Sequence, residues 1–97
     1  MDKVKLELEK VDKIYQRLLG IDFPVWKLGR ELYVYKIHMD NLSVRTQALL
    51  DKYDEKVDEI LQKYNLDTDD YIEIKNDLDE KIDWSKYKIE EYIDSII

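Results

Sequence analysis

The chain has one histidine, His38, and chemistry that needs an imidazole must use it. Metal sites in helical bundles take a Glu-x-x-His pair from a single helix, and three residues before His38 stands Tyr35. Helical periodicity also puts His38 on a polar face, so an exposed, uninvolved histidine is expected. Nucleophilic catalysis has equally little to use. The serines are Ser43, Ser85 and Ser95, none in a recognisable motif and with no second histidine to act as base. There is no cysteine, which removes disulfides, thiolate metal ligands and thiol nucleophiles together. Asp67-Thr68-Asp69 resembles the start of a calcium loop. That loop requires glycine where Ile72 stands and glutamate where Leu78 stands. Asn41-Leu42-Ser43 matches a glycosylation pattern, but Met1-Asp2-Lys3 leads straight into an amphipathic pattern with no visible secretory signal. Carboxylate pairs are plentiful in a chain this acidic, and general acid–base work would need them in a desolvated cleft. No enzyme, catalytic residue, metal or cofactor is expected.

Binding chemistry is better represented. Glu73, Asp77, Glu80, Trp84, Tyr87, Glu91 and Asp94 are spaced 4, 3, 4, 3, 4 and 3. On one continuous helix they would form a single stripe, with two large aromatics midway along an acidic ridge. Rigid aromatic anchors flanked by steering charges are the make-up of a binding hot spot. The competing reading is that Trp84 and Tyr87 fold over the edge of the core while the acids solvate the helix. Asp51, Asp54, Glu55, Asp58 and Glu59 could extend this surface. Their four-residue like-charge pairs cost only ~0.2–0.5 kcal/mol each, which helices tolerate.

Charge is unevenly spread. The net charge is −7 over 97 residues, yet residues 1–36 carry eight basic and six acidic groups, while residues 65–97 carry four and eleven. An acidic C-terminal third disfavours nucleic acid and favours a protein partner with a basic surface. With 40% charged and 44% hydrophobic residues, the chain is expected to be one folded, water-soluble domain. No apolar run is long enough to span a bilayer, so no membrane association is expected and a cytoplasmic location is.

The elements that must position these residues read as helices. Residues 2–19 carry Val4, Leu8, Val11, Tyr15 and Leu18 at gaps of 4, 3, 4 and 3, with Gly20 as a natural stop. Pro24 suits the first turn of the next helix. From Pro24 to Tyr64, Val25, Leu28, Leu32, Tyr35, Met39, Leu42, Thr46 and Leu49 recur at heptad spacing, which predicts one long helix over 24–64. A register shift near Leu49–Leu50 resembles a stutter. Two alternatives stand beside this helix. Residues 23–39 include LYVYKIHM and could form a β-hairpin turning at Gly29-Arg30. A break at Asp40–Ser43, where capping residues cluster, is the other. A third helix is expected over 68–96, capped by Asp67 or Thr68, with a possible break near Asp83–Ser85.

The expected fold is therefore all-α: a three-helix antiparallel, coiled-coil-like bundle with a long central helix. Such a helix would be on the order of 60 Å long, and the outer two would tile it end to end. Trp26, Tyr33, Ile37 and Val44 form a second apolar stripe that this arrangement leaves uncovered, which predicts self-association as a homodimer. The expected function is non-catalytic binding of another protein, as in a small inhibitor, antitoxin, immunity protein or phage accessory protein. A self-assembling structural subunit comes second. A helical DNA-binding regulator, drawing on Lys27, Arg30, Lys36 and Arg45, comes third.

Overall fold

Residues 2–96 are described by a computed structural model. They form five α-helices and two 3₁₀ turns, and no strand occurs among them. The first helix, α1 (Asp2–Leu19), buries Val4, Leu8, Asp12, Tyr15 and Leu19 on one face, at helical spacing. Gly20 ends it in the left-handed region, with φ 71°. There the Gly20 N–H donates to Arg17 O at 3.2 Å and the Ile21 N–H to Gln16 O at 3.1 Å, the paired bonds that close a helix C-terminus.

Helix α2 (Val25–Val34) follows Pro24 and stops well short of the expected Tyr64. The stop has the same geometry as the end of α1, but without glycine. Lys36 takes φ 55°, its N–H donates to Tyr33 O at 3.1 Å, and the Ile37 N–H donates to Leu32 O at 2.9 Å. A 3₁₀ turn at Met39–Asn41 carries the chain to Ser43. The Ser43 hydroxyl accepts the Thr46 N–H at 3.2 Å and so opens α3 (Val44–Lys63). Asn65, with φ 55°, closes α3 by the same pair of bonds. Asp67 and Asp70 then exchange reciprocal side-chain bonds to each other's N–H groups and start α4 (Thr68–Glu80). A second 3₁₀ turn, Trp84–Lys86, is capped by Asp83 and precedes α5 (Ile89–Ile96).

The single helix over 24–64 is thus two helices joined by a folded connector, and the helix over 68–96 is also interrupted, close to Asp83–Ser85. A rod of about 60 Å cannot fit a chain whose longest dimension is 36 Å and whose radius of gyration is 13.3 Å. That radius is near the ~13 Å of a compact domain of this size. The hairpin over 23–39 does not form, because residues 25–34 are helical. None of the described helices is long and apolar enough to cross a membrane.

Helices α1 and α3 form the most extensive helix pair, and α2 packs across α1. The deepest side chains, Phe23, Val25 and Leu28, cluster where the chain turns from α1 into α2. Phe23 meets the edge of Tyr92 at 5.7 Å, and the Tyr92 hydroxyl donates to Leu19 O at 3.4 Å, which ties α5 to this corner. Helix α4 is held on α2 by charge. Arg30 pairs with Asp79 at 3.1 Å, and Lys27 pairs with the same carboxylate at 3.3 Å.

The break at Lys36 has a testable sign. In a continuous helix Lys36→Gly would destabilise by about 1 kcal/mol. At a left-handed helix end the same change relieves a strain of about 1–2 kcal/mol, partly offset by the backbone entropy of glycine. We expect Lys36→Gly to be neutral or to stabilise by up to about 1 kcal/mol in urea unfolding. A loss of 1 kcal/mol would restore the continuous helix.

Candidate functional site

Trp84 is half-buried at the edge of the core and held from several sides. Its indole N–H donates to Asp79 O at 3.1 Å. Its ring stands edge-to-face with Trp26, centroids 5.6 Å apart and planes at 85°. The Lys27 ammonium lies 4.7 Å from the Trp84 ring centre and is itself bound to Glu31 at 2.9 Å and Asp79 at 3.3 Å. Lys27 is buried beneath Trp84. Tyr87 leans on the other side of Trp84, with ring centres 5.8 Å apart.

From α2, Tyr35 reaches across and donates its hydroxyl to Glu90 Oε1 at 2.7 Å. That bond to a carboxylate raises the Tyr35 hydroxyl above its ordinary pKa and keeps it a donor. Between these groups lies an open depression of about 350 Å³. Tyr35, Trp84 and Tyr87 form its aromatic walls, and its charged lining is Glu31, Glu90 and Glu91 with Lys27 and Lys88.

Three of the seven residues expected to form an acidic–aromatic stripe, Trp84, Tyr87 and Glu91, line this depression. The other four, Glu73, Asp77, Glu80 and Asp94, are exposed but do not line it. The single-stripe expectation needs one continuous helix and is corrected by the break between α4 and α5, which puts Glu73, Asp77 and Glu80 on a different helix from Glu91 and Asp94. Tyr35, Glu31 and Glu90 were not expected there. The 3–4 spacing places Tyr35 on the core seam, and nothing local links it to a carboxylate fifty-five residues away.

The second apolar stripe also needs correction. Trp26 is only 7% exposed, because its own chain covers it with Trp84. Ile37 is partly buried in the α2–α3 connector. Tyr33, 85% exposed, and Val44, 84% exposed, remain open, but on different helices. The stripe existed only on the unbroken helix.

A buried polar cluster escaped the periodicity altogether. Asp12 lies on the core face of α1 and accepts the Val25 N–H at 2.8 Å, the Trp26 N–H at 3.4 Å and the Tyr53 hydroxyl at 3.0 Å. It caps α2 from another helix, a task Pro24 cannot perform with its own side chain. Burial pushes the Asp12 carboxyl up, opposed by these three donors. Burial likewise drives the Tyr53 and Tyr71 hydroxyls far up, so both stay protonated, 3.4 Å apart. The signal in the sequence is an acid four residues after Leu8 and three before Tyr15, on the face that should be apolar.

Compared with protein-family models, with curated proteins and with solved structures, the chain matches none.

Proposed function

We propose that this chain is a non-catalytic protein-binding module whose contact surface centres on Tyr35, Trp84 and Tyr87, and that its partner presents a basic surface. The observation that carries the reading is the depression itself: three aromatic rings, braced by hydrogen bonds and edge contacts, around an open hollow where Glu31, Glu90 and Glu91 outnumber Lys27 and Lys88 by one. Rigid aromatics lose little side-chain entropy on binding, and rim carboxylates steer a cationic partner during encounter. A role as a cytoplasmic inhibitor, antitoxin, immunity protein or phage accessory protein fits such a surface. His38 stands exposed before the 3₁₀ turn of the α2–α3 connector, away from the depression, and supplies it with no base.

The test separates anchoring from steering. Tyr87→Ala should weaken partner binding by about 2 kcal/mol, roughly thirtyfold, mainly through faster dissociation, with the helical circular dichroism unchanged. Glu90→Lys with Glu91→Lys should slow association and flatten its dependence on salt, as the Debye length falls from ~10 Å at 0.1 M to ~3 Å at 1 M. Trp84→Ala is a poorer probe, since Trp84 also covers Trp26 and its loss costs stability as well. A Tyr87→Ala variant that binds as tightly as wild type would place the contact surface elsewhere.

The second reading is self-association as a homodimer. What favours it is the exposure of Tyr33, Val34 and Val44.

A further inference from the structure

Helix α4 is tied to α2 through Asp79, and a cleft of about 270 Å³ opens between α4 and α1. Its apolar surface comes from Leu8, Trp26, Ile74, Leu78 and Ile82. Its polar lining is unusual for this molecule. Lys5, Lys13 and Lys75 face it against only Glu9 and Asp12, so the cleft carries a positive excess in a chain of net charge −7.

The two carboxylates are already engaged. Glu9 pairs with Lys13 at 3.0 Å, and Asp12 accepts three hydrogen bonds. Lys75 is not engaged in this way. Its ammonium lies 4.1 Å from the Tyr71 ring centre, and no carboxylate among the described residues comes within ion-pair distance of it. Burial works against its charge, with Asp54 and Asp12 compensating only at longer range. A half-buried cation beside an apolar slot is better satisfied by an anion brought into contact.

The dimensions choose the class of occupant. Along α1 the lining runs from Lys5 to Gln16, about 16 Å at ~1.5 Å per residue. An apolar cavity of ~150 Å³ holds one benzene molecule, so a cleft of about 270 Å³ suits a ligand of roughly ten non-hydrogen atoms. An elongated, mainly apolar slot of that capacity, with the Lys75 cation on its wall, matches a single hydrocarbon chain that ends in an anion.

We infer that the α1–α4 cleft is a binding site for a medium-chain aliphatic carboxylate, its hydrocarbon lying against Leu8, Ile74 and Leu78 and its carboxylate paired with Lys75. The site is separate from the aromatic depression and does not depend on that depression's role.

Decanoate below its micellar concentration is the probe, followed by amide and methyl NMR shifts of the full chain. Decanol and decylammonium serve as neutral and cationic controls of the same length. Saturable decanoate shifts at Leu8, Ile74, Lys75 and Leu78 are expected, with decanol at least tenfold weaker and decylammonium weaker still. Lys75→Met should lose at least tenfold in affinity and Lys75→Arg should retain it. Leu78→Trp, which fills the slot from a partly exposed position, should abolish binding with the helical signal intact. The proposal fails if decanoate gives no saturable shifts at millimolar concentration, if the shifts map outside the cleft, if decanol or decylammonium binds as well as decanoate, or if Lys75→Met binds unchanged.

Discussion

Phe23→Ala should destabilise the chain by about 3–5 kcal/mol, the range for emptying a fully buried aromatic site. Phe23 is only 1% exposed and sits in the short turn between α1 and α2, where backbone on both sides limits relaxation into the void. Its edge contact with Tyr92 adds a distant consequence. Amide exchange in α5 should accelerate before exchange in α1 and α3, since α5 loses an anchor while the α1–α3 pair keeps its own. Urea unfolding followed by circular dichroism should show a lower midpoint with a similar slope. For a domain stable by roughly 5–15 kcal/mol this is a large fraction of the total. A cost below about 1 kcal/mol would mean that the corner is not part of the core.

Asp12→Ala should cost about 2–4 kcal/mol, for a different reason. The change strands the buried N–H groups of Val25 and Trp26 and leaves the Tyr53 hydroxyl dependent on a 3.4 Å contact with Tyr71. A lost helix cap is worth ~1 kcal/mol, and a stranded buried donor about 1–3 kcal/mol. Removing a desolvated charge offsets part of this, so the net falls below the simple sum. Asp12→Asn keeps the shape and one acceptor while removing the charge, and should cost clearly less than Asp12→Ala. The pH dependence has a definite sign. Burial raises the folded pKa of Asp12 above the unfolded value, so the folded chain holds this proton more tightly. The stabilisation it brings is fully present below the unfolded pKa and is lost as pH rises through the folded pKa. Asp12→Asn should remove that dependence. Equal costs for the alanine and asparagine variants would show that the hydrogen bonds to Asp12 do not support α2.

Much of the helical content was legible because it follows from local rules. Val4, Leu8 and Tyr15 keep their spacing, Gly20 supplies a left-handed stop, and Ser43 and Asp67 cap as their side-chain oxygens allow. The break at Lys36 was hidden because lysine carries no left-handed preference. The seam through Leu32 and Met39 runs across the break, since both residues bury against the core from separate elements. A heptad count registers which residues seek burial and not whether one straight helix delivers them. The same blindness made Trp26 look uncovered. Its cover is Trp84, fifty-eight positions later, and no short-range pattern reports such a contact. Trp84 and Tyr87 stood out as candidates by their type and their acidic neighbours. Tyr35 and Glu90 did not, because only the packing of α5 beside the end of α2 brings them within 2.7 Å.

Site-specific photo-crosslinking in the source cells tests the proposed binding surface most directly, with a benzophenone side chain placed singly at positions 35, 87, 33 and 55. One heteromeric adduct is expected, shared by positions 35 and 87 and lost when Glu90 and Glu91 are both changed to lysine. None is expected at position 55, which lies on the exposed face of α3. Adducts confined to position 33 and made only with a second copy of the chain would contradict it and establish self-association in its place.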